Sequence, residues 1–293
     1  MKDMRISTEN EHLIQEFGYH KALDMVAEAG FDCMDMSMLG MAKGEECRFL
    51  QDDAVAFCKE LRSHAEDIGI TINQAHAPFQ MDMQEWMDGN RADILRRLNK
   101  AIELAGVLGI RNIVVHPIKH IDYLNSDPSW YKDLNVEFYS NLIPAAQDAG
   151  VKIAIENMWH RHKYNKRITL SVCSSPYEHR DYVDACNAIA PVFTACLDVG
   201  HCVLTGHDPA KSIAVLGDRL DALHVHDVDG INDSHSCPLT MTVDFYSIVQ
   251  KLKEIGYKGE FTLESIHYFT HFRPEDYGKV LRQMAEVARI LTK

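Results

Sequence analysis

The sequence predicts a single (β/α)8 barrel spanning residues 1–293, and three observations predict it. A helical-period segment, a glycine and a short apolar run recur along the chain. The strand-like runs number eight. Within several of them, large aliphatics and ionisable groups alternate strictly. A helix-to-strand unit repeated eight times closes a parallel barrel, and a chain of 293 residues is close to the ~250 typical of one such domain.

The elements follow in order. MRIS opens as the first strand. AEAG-FDCMDMS, EDIGI-TINQAH, AGVLGI-RNIVVH, QDAG-VKIAIEN, GDRL-DALHVHD and EIGYKGE-FTLES each read as the end of an amphipathic helix, a glycine past its last turn, and a strand. TACLDV supplies the eighth strand. No Pro/Gly/Ser-rich linker or charge block divides the chain, so one unit is expected.

Parity carries the functional signal, because successive strand side chains point to opposite faces. Ile153 and Ile155 alternate with Ala154 and Glu156; Leu197 and Val199 with Cys196 and Asp198. Leu223 and Val225 alternate with Ala222, His224 and His226, and Phe261 and Leu263 with Thr262 and Glu264. The aliphatics face the helices, which turns the ionisable groups into the barrel. Acids and imidazoles inside are costly unless paired, and a divalent cation pairs with several at once. Any one of these acids alone is as well explained by helix capping or a nearby Lys or Arg. Four strands ending alike at the face where such barrels build active sites point to a metal held by Glu156, Asp198, His224 or His226, and Glu264.

Other residues join that face. His76 in QAHAPF and His116 in VVHPIKH end strands, and His201 follows Asp198 in LDVGH, where it can face a ligand. Asp233 and His235 lie in the polar loop GINDSHSCP, of the kind that holds substrate. Trp159, with Trp86 and Tyr268, can form an aromatic wall, and the methionines of 25–41 read as core filler.

The formal charge of −13 repels phosphate backbones and anionic membranes at long range, so neither nucleic acid nor membrane is expected as a partner. MKDMRISTENEHL has no apolar signal segment and no window matches a membrane span, which gives a cytoplasmic expectation. The eight cysteines form no CxxC pair or dense framework and are expected as reduced thiols.

HAPF at 76–79, VVHP at 114–117, IEN at 155–157, LDVGH at 197–201, LHVHD at 223–227 and LES at 263–265 resemble the xylose isomerase-like barrel superfamily. The resemblance spans nearly the whole chain and is greatest to the sugar phosphate isomerase/epimerase group, which includes tagatose and psicose 3-epimerases, inosose dehydratases and hydroxypyruvate isomerases. It implies Glu156, Asp198, His224 and Glu264 as metal ligands, with Glu156 and Glu264 also as the acid/base pair. It further implies His201 on the substrate. His226, His76, His116, His235 and Trp159 complete the expected substrate pocket. His224 followed by Asp227 matches the family's spacing, although parity alone leaves His224 and His226 equivalent.

The implied chemistry is carbohydrate metabolism: isomerisation or epimerisation of a small sugar, ketose or related polyol through an enediolate. One divalent ion is implied, Mn2+ first, then Mg2+, Co2+ or Zn2+; homo-oligomers are compatible with the class. The chain departs from the epimerases at His162 and Gly230, where they resemble Glu and Arg, and at SCPLTMT near Pro238. An inosose dehydratase-like lyase is one alternative. The other is an endonuclease IV-type AP endonuclease, whose three-zinc pattern is traceable as His76, His116, Glu156, Asp198, His201, His224, Asp233, His235 and Glu264.

Overall fold

The computed structural model describes residues 3–78, 86, 89–119 and 123–293; Phe79 of the HAPF motif lies outside them. Among the described residues ten strands follow in chain order: β1 Ile6–Glu9, β2 Cys33–Ser37, β3 Thr71–His76, β4 Asn112–Val115, β5 Lys152–Glu156, β6 Trp159–Arg161, β7 Ile168–Leu170, β8 Phe193–Asp198, β9 Leu220–His224 and β10 Phe261–Leu263. Eight of them form one parallel sheet in the order β10-β1-β2-β3-β4-β5-β8-β9, while β6 and β7 pair antiparallel on their own. The sheet closes on itself. Val225 bridges Leu263, the Val225 N–H donates to Thr262 O at 2.9 Å, and the Glu264 N–H donates to Val225 O at 2.9 Å. This is the (β/α)8 barrel that the repeated helix-glycine-strand pattern predicts.

The glycines act where the pattern places them. The helices Arg91–Leu108 and Ile143–Ala149 stop at Gly109 and Gly150, both left-handed, and strands β4 and β5 follow at once.

The parity reading divides the interior in two. Ile153, Ile155, Leu197, Leu223 and Leu263 belong to the large core between sheet and helices, whereas Val114, Ala154, Cys196 and Ala222 form a separate small cluster inside the barrel. Two residues beyond each of these four, on the same face, come His116, Glu156, Asp198 and His224. The apolar layer therefore floors an ionisable one. Every barrel strand contributes to that upper layer: Glu9, Asp35, His76, Glu156, Asp198 and His224 lie in the last residues of β1, β2, β3, β5, β8 and β9, and His116 and Glu264 just past β4 and β10. All the cysteines are free, and none of the described helices is long and apolar enough to cross a membrane.

Candidate metal centre and active site

Several side chains at the barrel mouth are positioned by main-chain groups. Asn157, next after β5, exchanges two hydrogen bonds with the Asp198 main chain at 2.7 and 2.9 Å, which ties β5 to β8. Asp198 then caps the following helix by accepting from the His201 N–H at 2.7 Å. The His201 ring donates from Nδ1 to Asn157 O at 2.9 Å. IEN and LDVGH are thus one interlocked unit.

Three imidazoles share one orientation. His76, His201 and His235 each turn Nδ1 to a main-chain carbonyl, of Ala77 at 2.8 Å, Asn157 at 2.9 Å and Glu264 at 2.9 Å. A fixed Nδ1–H turns Nε2 toward the mouth, which is how metal-ligating histidines are commonly oriented. His76 Nε2 faces His116 Nε2 at 3.1 Å, His201 Nε2 faces Asp233 at 3.5 Å, and His235 Nε2 faces the same carboxylate at 3.2 Å.

Among the described residues the potential ligand atoms gather in four overlapping groups, of which one, His76, His224 and Glu264, repeats members of the other three. Glu156, Asp198, His224 and Glu264 bring one atom each to within 4.8 Å of one another. His76, His116 and Glu156 form a second group, and His201, His226, Asp233 and His235 a third. Glu156 joins the first two: its Oε1 lies 3.2 Å from His224 Nδ1 and its Oε2 lies 2.8 Å from His116 Nε2.

The two strand-nine histidines go to different places. His224 Nδ1 stands between Glu156 and Glu264, 3.2 and 3.6 Å away. His226 instead meets Asp198 through Nε2 at 3.0 and 3.1 Å and stacks on His235 at 4.0 Å. Gly200 makes that possible, because a Cβ there would lie 2.1 Å from the His226 ring.

The site residues that sequence reasoning missed are Asp35 and Glu9. Asp35 is fully buried, accepts from Gln74 Nε2 at 2.7 Å and lies 3.5 Å from His224 Nε2, on the edge of that ring opposite Glu156 and Glu264. Glu9 is buried beside Glu264 and Asp35, and burial with those charges pushes its carboxyl well up. Their signal was present: Cys33, Asp35 and Ser37 alternate with Met34 and Met36 as Glu156 alternates with isoleucines. Asp227 has a structural job. Its carboxylate accepts from the N–H groups of Val228, Thr240, Met241, Thr242 and Val243 at 2.8–3.0 Å and so holds the loop that carries Asp233 and His235. Trp159 lines the mouth, donating from Nε1 to Asp233 at 2.9 Å, whereas Trp86 packs on Phe138 and Tyr268 on Phe272.

Burial and mutual charge shift the ionisable groups of the mouth in both directions. Burial, offset by His224 and His235 but reinforced by Glu156 and Asp198, pushes Glu264 up to about 8. Burial opposes charge on Asp198, yet His201 and His226 hold it down to about 2. Burial likewise opposes charge on His201 and His235, but the surrounding acids raise them to about 10 and about 9. Glu264 Oε2 and Asp233 Oδ1 are buried without a hydrogen bond. The facing Nε2 atoms of His76 and His116 and the orphaned Glu264 oxygen both fit divalent ions placed among them.

The family model for the xylose isomerase-like TIM barrel matches residues 23–287. The chain belongs to that family. Among curated relatives it is 28% identical to uncharacterized protein MJ1311 of Methanocaldococcus jannaschii over 256 residues, 83% of this chain and 78% of that protein. It is 26% identical to uncharacterized protein y4fM of Sinorhizobium fredii over 275 residues, 85% of this chain and 81% of that protein. The solved structures it resembles include a D-tagatose 3-epimerase-like protein, with TM-score 0.72 at 22% identity over 98% of this chain and 99% of that one. They also include the 3-keto-D-glucoside 4-epimerase YcjR of E. coli, with TM-score 0.74 at 16% identity over 98% of this chain and 99% of that one. At those identities the likeness establishes the family's fold in this chain.

Proposed function

We propose that this protein is a divalent-metal-dependent isomerase or epimerase of a small ketose or related polyol. The observation that carries the reading is the buried convergence of Glu156, Asp198, His224 and Glu264 at the C-terminal mouth of the barrel. Those four residues would hold the ion, with Mn2+ the first candidate. A divalent cation bound there supplies Lewis-acid polarisation of a substrate carbonyl and acidifies the adjacent C–H.

The chain's own groups do the proton work. Glu156 and Glu264 come from β5 and from just past β10, so they reach the centre from well-separated parts of the wall with His224 Nδ1 between them. One carboxylate takes the proton next to the carbonyl. Its return from the other face inverts the carbon, and its delivery to the neighbouring carbon moves the carbonyl. His201 Nε2, fixed by the Nδ1 bond to Asn157, is placed to orient a substrate oxygen, and Trp159 walls the pocket. In D2O the wild-type protein should incorporate deuterium beside the carbonyl of its ketose, and Glu156→Gln should abolish incorporation while keeping the fold. A variant that exchanges at the wild-type rate sinks the mechanism.

One observation favours a second reading. All nine residues of the three-zinc pattern fall within the three ligand groups, so phosphoester hydrolysis by a trinuclear centre of the AP endonuclease type is the alternative. Metal content together with assay of abasic DNA separates the two: three zincs per chain and strand cleavage would establish the nuclease.

A further inference from the structure

The hairpin formed by β6 and β7 follows Asn157 directly and stands at the barrel mouth. Its charge is opposite to that of the molecule. The chain carries −13 overall, yet no Asp or Glu occurs between Glu156 and Glu178, while Arg161, Lys163, Lys166 and Arg167 all do. Arg161, Lys166 and Arg167 are exposed, and among the described residues none of the three is ion-paired to a carboxylate.

The pleat decides where Arg161 looks. Trp159 and Arg161 are two apart on β6 and share a face. Trp159 fixes that face toward the site, because its Nε1 donates to Asp233 at 2.9 Å and its ring edge meets His201 at 6.2 Å. The Arg161 guanidinium lies over the Trp159 ring, 5.3 Å from its centroid, and donates to Lys166 O at 3.2 Å, which closes the hairpin tip. A positive rim held in place by an aromatic residue that touches a candidate ligand is suited to an anion reaching outward from the centre.

We infer that the hairpin, through Arg161 with Lys166 and Arg167, binds an anionic group, phosphate or carboxylate, on the small substrate at the end remote from the reacting carbonyl. This deepens the proposed function and rests on it for the substrate's other end. A DNA backbone would need many such cations along a track, whereas here the stretch that carries basic residues without any acid is one short hairpin on an acidic molecule.

The test uses the protein as purified, with Arg161→Ala/Arg167→Ala and Arg161→Lys variants that keep the wild-type melting temperature. Titration calorimetry with inorganic phosphate and with acetate reports which anion the rim prefers; the double alanine variant should weaken the preferred one at least tenfold and Arg161→Lys less. Deuterium exchange is then followed for ketoses paired with their terminal phosphates and their terminal carboxylates. The anionic member should be used with the higher kcat/KM, and the double variant should raise KM for it by more than for the neutral ketose. Anion affinity that is unaffected by the variants, or equal handling of neutral and anionic ketoses, overturns the inference. Loss of abasic-duplex binding in the variants, with small-anion affinity intact, overturns it in favour of nucleic acid. No exchange on any ketose, together with hairpin-dependent anion binding, removes the isomerase reading and leaves the anion rim standing.

Discussion

Removing the metal should destabilise the fold, and by more at pH 8 than at pH 6. A ligand present at a thousandfold excess over its Kd stabilises by about 4 kcal/mol. Unfolding a chain of 293 residues carries about 0.6 kcal/mol/K of entropy, taking ~2.1 cal/mol/K per residue, so EDTA should lower the melting temperature by about 7 °C. The pH dependence follows from protons the ion must displace. Without metal, Glu264 is pushed up to about 8 and His224 is held well above its ordinary value, so both are protonated at pH 7 and both must deprotonate to bind. Each displaced proton makes the affinity rise tenfold per pH unit below its pKa, which is about 1.4 kcal/mol and hence about 2 °C per unit. From pH 6 to 8 the gap should therefore widen by ~4 °C for one proton and about twice that for two.

The metal-free protein should itself lose stability from pH 7 to 8. Glu264 holds a proton in the folded state that the unfolded chain has released, and His201 and His235, raised to about 10 and about 9, stabilise only while protonated. Scanning calorimetry with Mn2+ and with EDTA at pH 6, 7 and 8 measures all three trends. A melting temperature indifferent to Mn2+, or a gap that does not change with pH, refutes the reasoning that this acid layer is a cation site.

Three further perturbations have defined outcomes. Asp35→Asn, which removes the carboxylate 3.5 Å behind His224 Nε2, should weaken metal binding by about 10- to 100-fold while leaving the fold intact; chelator competition measures it, and unchanged affinity removes Asp35 from that role. Gly200→Ala should drive the His226 ring off Asp198, since the new Cβ would stand 2.1 Å from it, at a cost of about 1–3 kcal/mol; a variant as stable as wild type by urea denaturation contradicts the close approach. His179 is fully buried with its ring donating to Ile155 O at 2.8 Å, and burial lowers it to about 4. Because the unfolded chain takes up this proton first, near pH 6.5, stability is present above that pH and falls by about 3 kcal/mol down to pH 4; His179→Gln should flatten this acid limb, and an unaltered limb assigns the loss elsewhere.

The barrel was legible because two independent periodicities agreed: the spacing of helix, glycine and strand, and the alternation within strands. Four of the ionisable ends were visible for the same reason, each sitting beside isoleucine or leucine that marks the other face. Glu9 and Asp35 carry the same alternation but hide in chemistry that blurs it. Thr8 is a poor marker of an apolar face, and Met34 and Met36 resemble gap-fillers wherever they point, though both are fully buried in the main core. Parity also leaves His224 and His226 equivalent. What separates them is the stagger of neighbouring strands, which pairs His224 with Asp198, and the bare Cα of Gly200, which admits the second ring; neither is a property of strand nine alone.

The basic hairpin was illegible for a different reason. Net charge averages over the molecule, and a −13 total conceals a segment in which every charged side chain is positive. Only the β6–β7 pairing and the Trp159–Asp233 bond convert that segment from a solvated loop into the wall of a site. The same geometry changes what the total charge can exclude. A diffuse negative field weakens long-range capture of a polyanion, which samples the whole surface, but hardly opposes one small anion that reaches a local cluster within a Debye length of about 8–10 Å. A basic hairpin beside the proposed cation site of an acidic protein thereby favours small, singly anchored substrates, and that local pattern weighs more in the choice between sugar and nucleic acid than the net charge does.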